Sequence, residues 1–326
     1  MSEPRAIGLD LGGTDLKAAL VDAGGGIHGF CRCPARARES EAAPLEAIAE
    51  TVIALAREAG GGIVALGLGT PGRVDPATGG VVGNTPHLPH WDSPPLRDWL
   101  AARVAWPVVV DNDANFAALA EHRLGAASGA RVSLTVTVGT GVGCGIVSEG
   151  RLLRGAGGGA GELGHLPLDG RVPCRCGVPG CVEPECSGAG LAARAREAGL
   201  AAEDAAAVFA LAAAGGATAL ALVARMTDRL GALIAAGVQL VNPDVVVLGG
   251  GVSAAGEALL LPVRAAVMRY ALPSHRRDLR VELAAFGERA GVVGAGLAAW
   301  DVARGGHGAT SRQGSSASPT RGESKA

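Results

Sequence analysis

The chain has 326 residues, enough for two ordinary domains rather than one or four. Hydrophobic residues make up 48% and charged residues 18%, too apolar and too weakly charged for a disordered chain, and the 52 glycines and 18 prolines follow no three-residue period, which excludes collagen. The formal net charge is −2 with no block of lysine and arginine along the folding part, so no nucleic-acid partner is expected.

The first residues, MSEPRAIGLDLGG, carry charges at Glu3, Arg5 and Asp10 and no apolar signal core, so a cytoplasmic location is expected. Alternating apolar residues predict strands at 6–11, 16–21 and 27–33, an antiparallel meander whose last two strands flank a turn starting at Asp22. The spacing of Leu45, Ile48, Ala49, Val52, Ile53 and Ala56 predicts a helix, followed by a strand at 63–68, a helix at 96–104 and a strand at 108–110. The plan then restarts: strand 132–138, a glycine turn from Gly139 to Gly143, and a second strand to 147. The uncharged stretch 205–224 is mostly alanine and broken at Gly215 and Gly216, so it reads as two helices and not as a membrane span. Helical spacing at Leu220, Val223, Leu230 and Ile234, a strand at 245–248 and helices at 254–270 and 291–303 complete a mixed α/β chain with two similar halves. Residues 305–326, rich in Gly, Ser and Thr, are expected to be disordered.

The glycine turns carry the first chemistry. Asp10-Leu-Gly-Gly-Thr14 lies between two strands, where the backbone N–H groups of Gly12 and Gly13 and the Thr14 hydroxyl can approach a phosphate and Asp10 can hold hydrated Mg²⁺; an ordinary hairpin turn is the alternative. Gly139, Thr140 and Gly141 form the equivalent turn of the second half, so a nucleotide is expected in a cleft between the halves. Gly249, Gly250 and Gly251 close a strand where a base or ribose can lie on bare backbone, or where helix and strand pack tightly. Gly67-Leu-Gly-Thr-Pro-Gly72 matches a dinucleotide fingerprint only formally, because no helix pattern follows it, and no P-loop motif exists.

In order, the motifs Asp10-Leu-Gly-Gly-Thr14, Gly69-Thr-Pro-Gly-Arg73, Asp111-Asn-Asp-Ala-Asn115, Gly139-Thr-Gly141, Gly161-Glu-Leu-Gly-His165, the cysteine run from Cys174 to Glu183 and Asn242 to Gly251 resemble the ROK family of bacterial sugar kinases and repressors, over roughly residues 5–303. The resemblance is strongest to its glucokinases. It implies two ribonuclease H-like domains of the actin-like ATPase superfamily, at 1–116 (joined by the helix 291–303) and 117–290. It implies ATP and a hexose as partners, phosphorylation at the sugar 6-hydroxyl, and a homodimer or homotetramer. Within that resemblance Asp113 is the general base, Asn112 binds the 4- and 6-oxygens, Glu162, His165 and Glu183 border the C1–C3 hydroxyls, and Gly72 and Asn84 are further sugar contacts. N-acetylmannosamine, N-acetylglucosamine, mannose and fructose kinases share these motifs. The family's regulators carry a helix-turn-helix domain ahead of the sugar site, and a first strand near residue 6 leaves no room for one.

Seven cysteines are too few for a disulfide scaffold in so long a chain, and four of them lie between 174 and 186. His165, Cys174, Cys176 and Cys181 offer one imidazole and three thiolates, a closed tetrahedral set for a structural Zn²⁺; buried core thiols are the alternative. Cys186, Cys31 and Cys33 are read as core. Three positions depart from the family pattern: His87 and His90 replace Asn and Gly in the segment after Asn84, and Asp15 adds a carboxylate beside the first glycine turn, which Lys17 could offset unless it is simply a solvated strand residue.

Overall fold

The computed structural model describes residues 3–85, 88–92 and 94–305. Strand β1 (Arg5–Leu11) buries Ala6, Ile7, Leu9 and Leu11 and returns as β2 (Asp15–Val21), pairing Asp10 with Lys17 and Leu11 with Leu16. The turn to β3 (Ile27–Pro34) is closed by Asp22, whose Oδ1 accepts the N–H groups of Gly24 and Gly26 at 2.9 and 2.8 Å. Helix α1 (Ala42–Ala59) ends at Gly60 in the left-handed conformation and leads to β4 (Ile63–Thr70), parallel to β1. Two short antiparallel pairs follow, β5 (Arg73–Val74) with β6 (Val81–Val82) and β7 (Asn84–Thr85) with β8 (Leu88–Asp92). Helix α2 (Leu96–Ala101) precedes β9 (Val108–Asn112), parallel to β4. The first sheet thus has the order β3-β2-β1-β4-β9.

After α3 (Asp113–Leu124) the same plan repeats. Strands β10 (Val132–Val138), β11 (Val142–Ser148) and β12 (Arg151–Leu152) form the antiparallel part. Helices α4 (Glu183–Cys186), α5 (Gly188–Glu197), α6 (Ala205–Ala213) and α7 (Ala217–Val241) lead to β13 (Val245–Gly249). Then α8 (Glu257–Tyr270), α9 (Pro273–Arg276), β14 (Arg280–Leu283) and α10 (Ala290–Ala303) complete the described chain. The second sheet has the order β12-β11-β10-β13-β14, position for position that of the first. This is the ribonuclease H-like plan of the actin-like ATPases, present twice. A large apolar core lies on each sheet, one around Leu9, Leu66, Ile48 and Trp91, the other around Val136, Leu230, Ile234 and Val246.

The alanine-rich stretch forms α6 and α7, separated at Gly215 and Gly216 as its sequence predicts. No helix among the described residues is long and apolar enough to cross a membrane. The helix expected from residue 254 starts only at Glu257, because Gly256 takes φ 61° and residues 251–255 wind as a 3₁₀ turn. The helix expected over 96–104 stops at Ala101. The short strand β14 and the helices α4 and α5 were not predicted. The tail beyond residue 305 lies outside the described residues.

Helices α3 and α10 occupy the layer between the sheets. A Cβ on Gly67 of β4 would strike the Ala295 carbonyl of α10, and one on Gly294 would strike the Phe116 carbonyl of α3, so both approaches are backbone on backbone. Trp300 fastens α10 further by donating its indole N–H to the Val21 carbonyl at 3.0 Å. The domain boundary expected between residues 116 and 117 falls inside α3, which packs on β10 and β11 as well as on α10.

Candidate active site and metal centre

Parallel pairing brings the carboxyl ends of β1, β4 and β9 to one edge: Asp10 lies beside Gly69, and Gly69 beside Asp111. In the second sheet Thr137 lies beside Gly249, so the turn after β10 and the glycines after β13 share the corresponding edge. Open α/β sheets bind ligands at such carboxyl edges. The turn holding Gly12, Gly13 and Thr14 joins β1 to β2 and is closed by the Gly12 N–H donating to the Asp15 carbonyl at 2.8 Å. The turn holding Gly139, Thr140 and Gly141 joins β10 to β11, with the Gly139 N–H donating to the Gly141 carbonyl at 2.9 Å. Gly188, at the start of α5, donates its N–H to the Gly139 carbonyl at 2.8 Å, and Gly250 and Gly251 follow the end of β13.

Burial raises the Asp10 carboxyl above its ordinary pKa, while Lys17, whose Nζ is 3.9 Å from Oδ2, opposes the rise. Gly291 in the first turn of α10 lies directly against this carboxylate, so the positive end of that helix faces it. The extra charge of Asp15 is met by Arg32 at 2.5 Å and not by Lys17, which is drawn to Asp10 and to the Glu288 carbonyl at 3.3 Å.

The corner between β9 and α3 sorts its four polar residues. Asn112 caps α3: its side-chain oxygen accepts the N–H groups of Ala114 and Asn115, and its amide donates to the Gly72 carbonyl at 3.1 Å. One amide hydrogen of Asn112 remains for a ligand. Asp111 accepts from the Asn115 side-chain amide and pairs with Arg154 at 2.6 Å. Asp113 accepts the Ala114 N–H at 2.8 Å. Burial first, then the negative charges of Asp10 and Glu162, push its carboxyl up to about 7. The corner therefore presents one carboxyl group that can accept a proton near neutrality.

Glu162 precedes a single 3₁₀ turn, Leu163–His165, and its Oε2 lies 3.9 Å from His165 Nε2. The other ring nitrogen, Nδ1, is 3.5 Å from Cys181 Sγ and 3.9 Å from Cys174 Sγ. With Cys176 the four ligand atoms all lie within 4.8 Å of one another. Metal–ligand bonds of about 2.0–2.3 Å in a tetrahedron set ligand spacings close to these, so the cluster can close on a metal ion with small side-chain shifts. Burial pushes the Cys174 thiol up to about 12 and raises that of Cys181, so a metal must displace protons as it binds. Glu183 Oε2 accepts the Val142 N–H at 3.1 Å, and Oε1 is 3.7 Å from Cys174 Sγ; the carboxylate thus ties the metal loop to the turn after β10.

Sequence reasoning missed the braces around this site. Glu185 is fully buried, accepts the Arg171 N–H at 2.8 Å and meets Arg225 and Arg229 of α7 at 3.2 and 3.3 Å, holding the cysteine loop to that helix. The only signal was a second glutamate two residues after Glu183. Arg154, immediately before a glycine run, was equally silent. Cys186 is buried, and Cys31 and Cys33 are half-buried on β3. His90 is exposed, with Nε2 3.3 Å from the Arg38 carbonyl; the side chain of Asn84 and all of His87 lie outside the described residues.

Known proteins resemble this chain in sequence and in fold. A glucokinase from Halalkalibacterium halodurans is 36% identical over 320 residues, spanning 91% of this chain and 95% of the relative. The crystal structure of a ROK hexokinase from Thermus thermophilus superposes with a TM-score of 0.77 at 38% identity, covering 93% of this chain and all of that one. The structure of a ROK family glucokinase from Streptomyces griseus in complex with glucose and AMPPNP gives a TM-score of 0.81 at 32% identity with the same coverage. The family model described as ROK family matches residues 6–301, and the chain belongs to that family.

Proposed function

We propose that the protein is an ATP-dependent glucokinase, transferring the γ-phosphoryl group of ATP to the 6-hydroxyl of glucose. The observation that carries the reading is the β9–α3 corner, where Asn112 caps the helix, Asp111 is taken up by the Asn112 N–H, the Asn115 amide and Arg154, and the Asp113 carboxyl, which accepts the Ala114 N–H, is poised near neutrality, close to Asp10. Asp113 orients the 6-hydroxyl and takes its proton as the oxygen attacks in line. The remaining amide hydrogen of Asn112, the backbone at Gly72, and Asn84, Glu162, His165 and Glu183 hold the rest of the sugar. The turns Gly12–Gly13–Thr14 and Gly139–Thr140–Gly141 present N–H groups to the phosphates, and Gly249, Gly250 and Gly251 give the adenosine a flat bed.

Two metals fit the residues present. Mg²⁺ accompanying ATP would be held through Asp10 and its water shell and would offset phosphate charge. Zn²⁺ would be held by His165, Cys174, Cys176 and Cys181; with four protein ligands it offers no open position and serves structure. Its part is to fix the loop carrying Glu162 and Glu183 on either side of the sugar. Three reduced thiols at this centre suit a cytoplasmic enzyme.

The test is coupled ATP consumption across a panel of glucose, mannose, fructose, N-acetylmannosamine and N-acetylglucosamine. Glucose is expected to give the highest kcat/KM; turnover of none of these sugars would overturn the reading. A pH dependence follows from the same carboxyl. Because Asp113 must be ionised to accept a proton and its pKa lies at about 7, kcat/KM should fall roughly tenfold per pH unit below that value. A profile that is flat between pH 5 and 8 would remove Asp113 from the role of base.

A further inference from the structure

Asp111 is a buried carboxylate without a part in the chemistry. Its Oδ1 accepts the Asn112 backbone N–H and the Asn115 side-chain amide, each at 2.8 Å, and its Oδ2 meets Arg154 Nε at 2.6 Å. The carboxylate side chain is only 5% exposed, so this charge-assisted bond is little weakened by water. The two partners belong to different sheets. Asp111 lies on β9 of the first, and Arg154 follows β12 of the second.

From Arg154 the chain runs through a glycine-rich loop to Glu162 and His165. That loop lies on the β5–β6 hairpin of the first half: a Cβ on Gly158 would strike the Val74 carbonyl, and one on Gly159 would come within 3.3 Å of the Arg73 side chain. Backbone contact in the middle and the ion pair at its start therefore fix the loop that delivers Glu162 to the corner that delivers Asp113.

We infer that Arg154 is a positioning residue for phosphoryl transfer: by holding Asp111 it sets the β9–α3 corner, and with it the placement and proton affinity of Asp113. This inference rests on the reading of Asp113 as the base. The groups facing Asp113 are Asp10 from β1, with Lys17 of β2 beside it, Glu162 from the loop, and the N–H of Ala114 at the start of α3. Asp111 stands two residues before it. Without Arg154 the Asp111 charge loses its partner, the negative field at Asp113 grows, and its proton is held more tightly.

The experiment compares full-length Arg154→Gln, Arg154→Lys, the double variant Asp111→Asn with Arg154→Gln, and Asp113→Asn, by glucose-dependent steady-state kinetics from pH 6 to 9. Arg154→Gln is expected to lower kcat at pH 7 by about 10–100-fold, the loss typical of a small misplacement of a reacting group. It should also move the acid limb of the profile up by about half a pH unit or more, with the KM for ATP unchanged. Arg154→Lys, which keeps the charge but not the guanidinium Nε–H that makes the bond, should lose rate while leaving the limb in place. The double variant, neutral at both positions, should bring the limb back. Unchanged kcat and limb in Arg154→Gln overturn the inference, as does a lowered kcat with an unmoved limb, the signature of loosened structure alone. If Arg154→Gln shows no cooperative melt, Arg154→Lys decides, and wild-type kcat there overturns it. Turnover surviving in Asp113→Asn would instead sink the base assignment; an inactive Asp113→Asn beside an unaltered Arg154→Gln would sink only the present inference.

Discussion

Asp113→Asn is expected to lower kcat by about 10²–10⁴-fold, the usual contribution of a positioned general base, while the Kd for glucose stays within a few fold. The amide keeps the shape and can still accept a hydrogen bond from the sugar, but it cannot take up the proton. The same substitution is expected to stabilise the fold. The native carboxyl titrates at about 7 because of burial and the charges of Asp10 and Glu162, against about 3.9 in an unfolded chain. Keeping it ionised therefore costs the native state free energy, about 1–3 kcal/mol after allowance for its partial exposure. The sign follows from the proton count. Below pH 4 both states are protonated and the penalty is absent; it grows between pH 4 and 7, where the native state holds the extra proton, and is complete above 7. Melting curves should thus place Asp113→Asn above the parent at pH 8 and level with it near pH 4. A variant that loses activity without gaining stability at pH 8 would show that the carboxyl is not held under such strain.

Removal of the proposed zinc should have the second large effect. Stripping the protein with a zinc chelator, or replacing Cys181 by Ser, is expected to raise the KM for glucose by about 10–100-fold, in line with the cost of disturbing the surroundings of a metal centre. Cys181 is 1% exposed, and its loop carries Glu183, which reaches the Val142 N–H beside the second glycine turn. The KM for ATP should change less, because the glycine turns proposed to face the phosphates join strands of the sheets. Limited proteolysis should then cut between residues 166 and 182, a segment of turns and a single β-bridge between Pro167 and Cys181. Zinc content and KM measured on one sample decide the matter; a metal-free enzyme with an unchanged glucose KM would refute a supporting role for the centre.

Local pattern is what made the site legible. Two glycine turns at strand ends, a cluster of cap-type residues after an apolar strand and a cysteine spacing suited to metal are all written within windows of a few residues, and each lies where that pattern puts it. The long-range braces are not written so. Arg154 with Asp111, Glu185 with Arg225 and Arg229, and Glu121 of α3 accepting the Ala285 and Phe286 N–H groups join residues far apart in the chain, and nothing near either partner announces the other. The partner of Asp15 was not legible either: Lys17 is closer in sequence and can be read as its partner or as a solvated strand residue, while Arg32 reaches it from the neighbouring strand. Strand β14 escaped for a related reason: four residues with two charges become a strand only because β13 offers a free parallel edge.

Helix α10 has a consequence for biosynthesis. Three of its 14 residues are glycine, and each costs about 1 kcal/mol of helix propensity relative to alanine, so the segment winds only against a surface already in place. That surface is the face of β1 and β4 around Ala6, Gly8, Ala65 and Gly67, made more than 200 residues before α10. At about 5–20 residues per second, the nascent chain carries this face uncovered on the order of 10–60 s. The half of the molecule that leaves the ribosome first is finished last, and chaperones have that interval in which to shield it.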